Sequence, residues 1–92
     1  MSTLDEQYAV MGKALDIFQQ RNAVHQDAWK QDGAQGSLEH IRHKLIRMQQ
    51  MIRFAETPFP VEQFVEEGLD LINYAAFAVR NVQDGRVLTP EI

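Results

Sequence analysis

Apolar residues recur along this chain at helical spacing in three blocks, separated by stretches with no period. In the first block Leu4, Tyr8, Met11, Leu15 and Phe18 lie three or four positions apart, on one face of a helix. Thr3-Leu4-Asp5-Glu6 has the capping-box pattern: Thr3 can accept from the first turn and Glu6 can reach back. A helix is predicted over about residues 4–24, weakened slightly at Gly12. The second block, Leu38, Ile41, Leu45, Met48, Ile52 and Ala55, predicts a helix over 37–56. Ser37 can cap it, Glu39 suits the positive end of its dipole, and Pro58 and Pro60 stop it. The third block, Val61, Phe64, Val65, Gly68, Ile72, Ala75 and Val79, predicts a helix over 60–83 that stops at Gly85.

The segment HQDAWKQDGAQGS, from His25 to Ser37, has no apolar period and two glycines, so 25–36 reads as a loop. Trp29 inside it either plugs the loop onto the core or offers a stacking surface to a planar ligand. The tail RVLTPEI, within 85–92, reads as poorly ordered alone or as docking against a partner. The fold expected is all-α: one domain over 1–92, a small bundle of three main helices completed by dimerisation into a four-helix-type core. Three apolar stripes, plus a further face carrying Tyr74 and Phe77, exceed what a three-helix monomer can cover.

Composition narrows the classes. A chain of 92 residues buries a small share of its surface, and with no cysteine it has no disulfide or thiolate-zinc staple. With 9 basic and 13 acidic residues the net charge is −4, which argues against a general nucleic-acid binder. MSTLDEQY is unlike a signal peptide and no run is apolar enough to span a membrane, so the expected address is the cytoplasm.

The candidate chemistry lies off the apolar stripes. On the third helix Glu67, Asp70, Tyr74 and Phe77 fall near one another, flanked by Glu66 and Asn73. Glu67 and Asp70, three positions apart, can both face one hard cation, and Mg²⁺ is commonly held by one or two carboxylates plus substrate phosphates. On the second helix Glu39, His43 and Gln50 line up beside Arg47, with Arg42 and Lys44 at the edge of the stripe. If the two faces meet, Glu39 is a third carboxylate and Lys44 or Arg47 can neutralise phosphate oxygens. The plainer alternative is a solvated acidic face paired with the second helix's arginines. His40 and His43 could hold a transition metal but lack a clear third ligand. No phosphate-loop, dinucleotide, zinc-protease or serine-hydrolase motif is present, and Ser37 has no evident base.

DAW, GSLEHIRHKLIRM and VEEGLDLINYAAFAV, in that order, resemble the pattern D-x-W, K-x-x-R, E-x-x-x-D-x-x-N-Y-A. That pattern belongs to small all-α nucleotide-modification-associated domains of phages and to MazG-like nucleoside triphosphate pyrophosphohydrolases. The resemblance covers roughly residues 8–82 and is most specific over Glu66 to Ala75. It implies a helical bundle forming a homodimer or higher homo-oligomer. It also implies Mg²⁺ held by ExxE and ExxD helices, and cleavage of a nucleoside triphosphate to monophosphate and pyrophosphate. Glu67 and Asp70 match ExxD, and Lys44, Arg47, Asn73 and Tyr74 match the K-x-x-R and N-Y positions expected to contact nucleotide, with Trp29 a further candidate. The ExxE half is missing, since Arg42 stands three residues after Glu39.

Two functions follow, beside a third reading as a purely structural dimer in which the third-helix carboxylates only make salt bridges with Arg42 and Arg47. One is a Mg²⁺-dependent pyrophosphohydrolase removing unwanted (deoxy)nucleotides, with Glu39, Glu67 and Asp70 as metal-holding catalytic residues and metal-bound water as nucleophile. The other is a non-catalytic nucleotide- or protein-binding dimer on the same scaffold. The intact ExxD-x-x-NY segment favours the first, the missing ExxE half the second.

Overall fold

The computed structural model describes residues 2–55 and 57–90. It contains α1 (Thr3–His25), α2 (Trp29–Arg53) and α3 (Val61–Gln83). Among the described residues there is no strand, and no helix is long and apolar enough to cross a membrane. α2 and α3 pair as an antiparallel hairpin, and α1 packs on α3 alone. The chain is an all-α small bundle.

The ends of the helices follow local chemistry, with three shifts from expectation. One is that α2 stops at Arg53 and leaves Ala55 outside it, while residue 56 lies outside the described residues. The α1 cap is Ser2 rather than Thr3: its hydroxyl accepts from the Asp5 N–H at 3.2 Å, and the Asp5 carboxylate accepts from the Ser2 N–H at 3.5 Å. Asp5 closes the box as Glu6 would have, one residue earlier. α3 ends as expected at Gly85, in a left-handed conformation (φ 80°). The Arg86 N–H donates to Asn81 O at 2.7 Å and the Gly85 N–H to Val82 O at 3.1 Å, the paired bonds of a Schellman motif.

The expected 25–36 loop is mostly helical. Gln26 and Asp27 turn the chain with positive φ, and the Asn22 side chain both donates to and accepts from Asp27. A helical turn then starts at Trp29, breaks at Gly33 (φ 66°, ψ 176°) and resumes to Arg53. Ser37 is therefore not the cap expected of it, and lies buried inside α2. The helix restarts because the tail caps it. Ala34 and Gln35 N–H groups donate to the carbonyls of Arg86 (2.9 Å) and Val87 (2.8 Å). Thr89 fastens the strap through its hydroxyl to Asp32 O at 2.6 Å and its N–H to Gln35 Oε1 at 3.1 Å. The tail from Arg86 to Thr89 thus docks on its own chain, and its last two residues lie outside the described ones.

The buried side of α3 is the opposite of the one its apolar stripe marks. Asp70, Asn73 and Asn81 are buried there with Leu69, while Val61, Val65 and Val79 are exposed. The polar groups tolerate burial because they have partners: Asn73 donates to Ala14 O at 2.8 Å, and Asn81 donates to Trp29 O at 3.3 Å while accepting from Arg86 Nε at 2.7 Å. The α1 stripe also faces outward from Leu4 to Leu15, with Tyr8 68% exposed, while Phe18 at its end turns in against Phe77; Ala14 is the residue of α1 that is fully covered.

Candidate ligand-binding site

Face-to-face packing of α2 on α3, with α1 closing one side, assembles five charges of alternating sign. Arg21 of α1 binds Asp70 Oδ1. Lys44 of α2 reaches Asp70 Oδ2 and Glu67 Oε2, each at 3.1 Å. Arg47, one turn on, donates to Glu67 Oε1 at 2.9 Å. Lys44 and Arg47 come together here because i and i+3 on α2 meet i and i+3 on the antiparallel α3. Burial opposes the Glu67 carboxylate, but bonds from Arg47 and Lys44 outweigh it and hold its pKa below the ordinary carboxylate value. Burial also opposes charge on Lys44, and its bonds to Glu67 and Asp70 outweigh that, so it titrates above an ordinary lysine.

Beyond Asp70 lies an aromatic cluster. The Trp29 ring stacks on Phe77 (4.9 Å, 14°) with the Arg80 guanidinium 4.3 Å from its centroid. Phe18 and Tyr74 meet Phe77 edge-on at 5.4 and 5.6 Å, and His40 stacks on Tyr74 at 4.5 Å. Burial, aided by the charge of Asp70, pushes the Tyr74 phenol up. Between these rings and the end of α1 is a cavity of about 310 Å³, walled by Phe18, Trp29, Tyr74 and Phe77 and edged by Arg21, Asp32 and Asp70. Ligand pockets start at about this size and share this make-up: mostly apolar walls with a few convergent polar groups. The Trp29 indole N–H is buried without an acceptor among the described residues.

The residues expected at a site are only partly brought together. Glu67, Asp70, Lys44 and Arg47 meet in the charge row. Asn73 and Tyr74 line the cavity wall, though the Asn73 amide is already engaged with α1. Trp29 is the core plug of the plainer reading and also lines the cavity, with its ring against Phe77 and Arg80. Glu39 stays outside: it is exposed, with Arg42 4.0 Å away. His43 is exposed too, and His40 is taken up by Tyr74 and, at 3.8 Å, by Asp32.

This donor set does not fit a divalent cation as it is arranged. Mg²⁺ needs free carboxylate oxygens, and all four oxygens of Glu67 and Asp70 face a basic side chain. The point that both carboxylates share is filled by the Lys44 ammonium. No group of three His, Asp or Glu residues gathers at one point among the described residues.

Sequence reasoning missed Arg21, Asp32, Arg80 and Asn81. The signal for Arg21 was its place one turn from Phe18 and two from Ala14, a second α1 face hidden beside the stronger Leu4–Leu15 stripe. Compared with protein-family models, curated proteins and solved structures, the chain matches none.

Proposed function

We propose that this chain is a homo-oligomeric binding module for a nucleotide or a similarly built planar, anionic ligand, and that it binds without hydrolysing. One observation carries the reading: an aromatic cavity opens at the Arg21–Asp70 end of a charge row in which three cations face two carboxylates. In this proposal the planar group enters between Phe18, Tyr74 and Phe77, and Asp32 accepts from an exocyclic amino group at its edge. Phosphate oxygens compete with Glu67 and Asp70 for Arg21, Lys44 and Arg47, which suit them as fork donors and a point charge. The resemblance to nucleotide-handling helical domains supports the same ligand class, and the cytoplasm is where such ligands occur.

A second reading, the Mg²⁺-dependent pyrophosphohydrolase, is favoured by one feature: Glu67 and Asp70 converge on a single point, 3.1 Å from each to Lys44 Nζ. It requires that substrate draw Lys44 away. Thermal melts with a panel of (deoxy)nucleoside mono-, di- and triphosphates, in EDTA and in millimolar Mg²⁺ with pyrophosphate read in parallel, separate the two. Stabilisation in EDTA without pyrophosphate release is the expected result, since a ligand specific for the native state raises the melting temperature. Release in Mg²⁺ that is lost in Asp70→Asn would replace the proposal with the hydrolase. No shift with any nucleotide would overturn both.

A further inference from the structure

Asp32 is a firmly seated carboxylate that the fold itself does not use. It closes the helical turn that begins at Trp29, just before the break at Gly33. Its carbonyl accepts from the Thr89 hydroxyl at 2.6 Å, so the strap fixes its backbone. Its Cβ occupies room that a side chain at position 36 would need: a Cβ on Gly36 would lie 2.8 Å from Asp32 Cβ and 3.2 Å from Thr89 Oγ1. An acid at this place would ordinarily cap the helix that restarts at Ala34. The strap has taken that role, because the Ala34 and Gln35 N–H groups donate to Arg86 O and Val87 O. Among the described residues the Asp32 carboxylate accepts no hydrogen bond, and its basic neighbour, His40 Nε2, stands 3.8 Å from Oδ2. Asp70, the other carboxylate at the cavity, is engaged at both oxygens by Arg21 and Lys44.

The place of this carboxylate decides what it can recognise. Asp32 edges the cavity that Phe18, Tyr74 and Phe77 wall. An ionised carboxylate offers two acceptor oxygens side by side and no donor. Among the common bases, guanine alone carries two donors side by side, its ring N1–H and its C2 amino group. Adenine and cytosine set a ring-nitrogen lone pair beside the amino group. Uracil and thymine flank their one ring N–H with carbonyls. Against any of these four, the second carboxylate oxygen faces another acceptor or is left without a partner. A site built to hydrogen-bond a group rejects the analogue that lacks it, because its own polar atoms are then left unpaired.

We propose that Asp32 is the specificity-determining residue of the cavity and that the base it selects is guanine, with one carboxylate oxygen on N1–H and the other on the C2 amino group. The proposal rests on the reading of the cavity as a nucleotide site and adds the identity of the base. Thr89 and Gly36 act as positioning residues, since they seat Asp32 without touching the ligand. The phosphates stay with Arg21, Lys44 and Arg47, so base and phosphate are read by different side chains.

Titration calorimetry of the full chain in EDTA, with the diphosphates of guanosine, inosine, xanthosine, adenosine, cytidine and uridine, tests this. Inosine keeps the ring and N1–H of guanosine and lacks only the C2 amino group, so the pair weighs that group alone. The guanosine compound should bind about tenfold or more tighter than the inosine one and than the adenosine, cytidine and uridine ones. Asp32→Asn supplies a second readout. Its amide sets one acceptor beside one donor in the same shape, the complement of xanthine, whose C2 carbonyl adjoins N1–H. The variant should lose about tenfold or more for the guanosine compound and gain about as much for the xanthosine one, a gain that a misfolded chain does not show. Guanosine and inosine compounds binding alike, or a variant that keeps the wild-type order of bases, would overturn the proposal and leave the nucleotide site standing. Binding of none of the six would overturn the nucleotide reading and this proposal with it.

Discussion

Replacing Lys44 by methionine tests the charge row most directly, because it removes the shared cation and keeps most of the stem's packing. Lys44 Nζ holds Glu67 and Asp70 at 3.1 Å each, and the side chains are 21%, 15% and 9% exposed. The pair of contacts lies between two regimes: exposed ion pairs contribute about 0–1 kcal/mol, and breaking a buried one costs about 3–5 kcal/mol. With Arg21 and Arg47 still neutralising one oxygen of each carboxylate, the expected loss is about 1–3 kcal/mol. For a domain of this size that lowers Tm by roughly 5–20 °C at fixed protein concentration. The substitution also leaves two carboxylates facing an emptied point. Millimolar Mg²⁺ should therefore raise the Tm of Lys44→Met and leave that of the wild type unchanged, as read by circular dichroism melts with and without EDTA. A variant melting within a degree or two of wild type would show that the shared ion pair is energetically idle. A wild type gaining as much from Mg²⁺ as the variant would refute the claim that the ammonium occupies the cation's place.

Two further outcomes follow from the same physics. Gly33→Ala should cost about 2–4 kcal/mol in urea unfolding. Its backbone lies where non-glycine residues pay about 1–3 kcal/mol, and the added Cβ would be 2.7 Å from Leu88 O, displacing the strap that caps α2. Gly12→Ala, with nothing within 4 Å of the new Cβ, should instead gain about 0.5–1 kcal/mol. Equal effects at the two positions would refute the role of the break. Stability should also fall at both ends of the pH scale. The depressed pKa of Glu67 stabilises the fold above its unfolded value, near 4.5, and that contribution is lost as pH falls through the lower folded value. The raised pKa of Lys44 stabilises below about 10.5 and is lost as pH rises through the higher folded value. Urea midpoints in Glu67→Gln should show a flatter acid limb than wild type, and an unchanged limb would remove Glu67 from the account.

The helices were legible because their stripes and stops are local: Leu38 to Ile52 marks α2 and Gly85 ends α3 where a left-handed residue is needed. What the stripes bury was not legible. A heptad of Val and Ile looks the same whether it faces its own chain or another, and α3 also carries Leu69, Tyr74 and Phe77 on its other side. The face with Asp70, Asn73 and Asn81 looks wet until Arg21, Ala14 O and Trp29 O are known to meet it, and those three partners lie far away in sequence. Arg21 is 49 residues from Asp70. The helical turn at Trp29 was hidden for a similar reason, since the strap that lets α2 restart after Gly33 comes from the far end of the chain. Of the site, Glu67, Asp70, Lys44 and Arg47 could be named from their spacing, whereas the exclusion of Glu39 depends on how α2 rotates against α3.

The strap has a topological consequence. From Trp29 to Thr89 the chain is closed at both ends, by the 54–60 connection at one and by the Arg86 and Val87 carbonyls on Ala34 and Gln35 at the other. α1 is an arm outside this ring, joined to it through the Gln26–Ala28 turn. The contacts that hold the arm down, Arg21 on Asp70, Ala14 with Asn73 and Phe18 against Phe77, are the same ones that shut one wall of the cavity. Swinging the arm away opens the cavity from the side and breaks none of the ring's own bonds. A ligand large enough to need that opening competes with the Arg21–Asp70 ion pair, the hydrogen bond from Asn73 to Ala14 O and the Phe18–Phe77 ring contact.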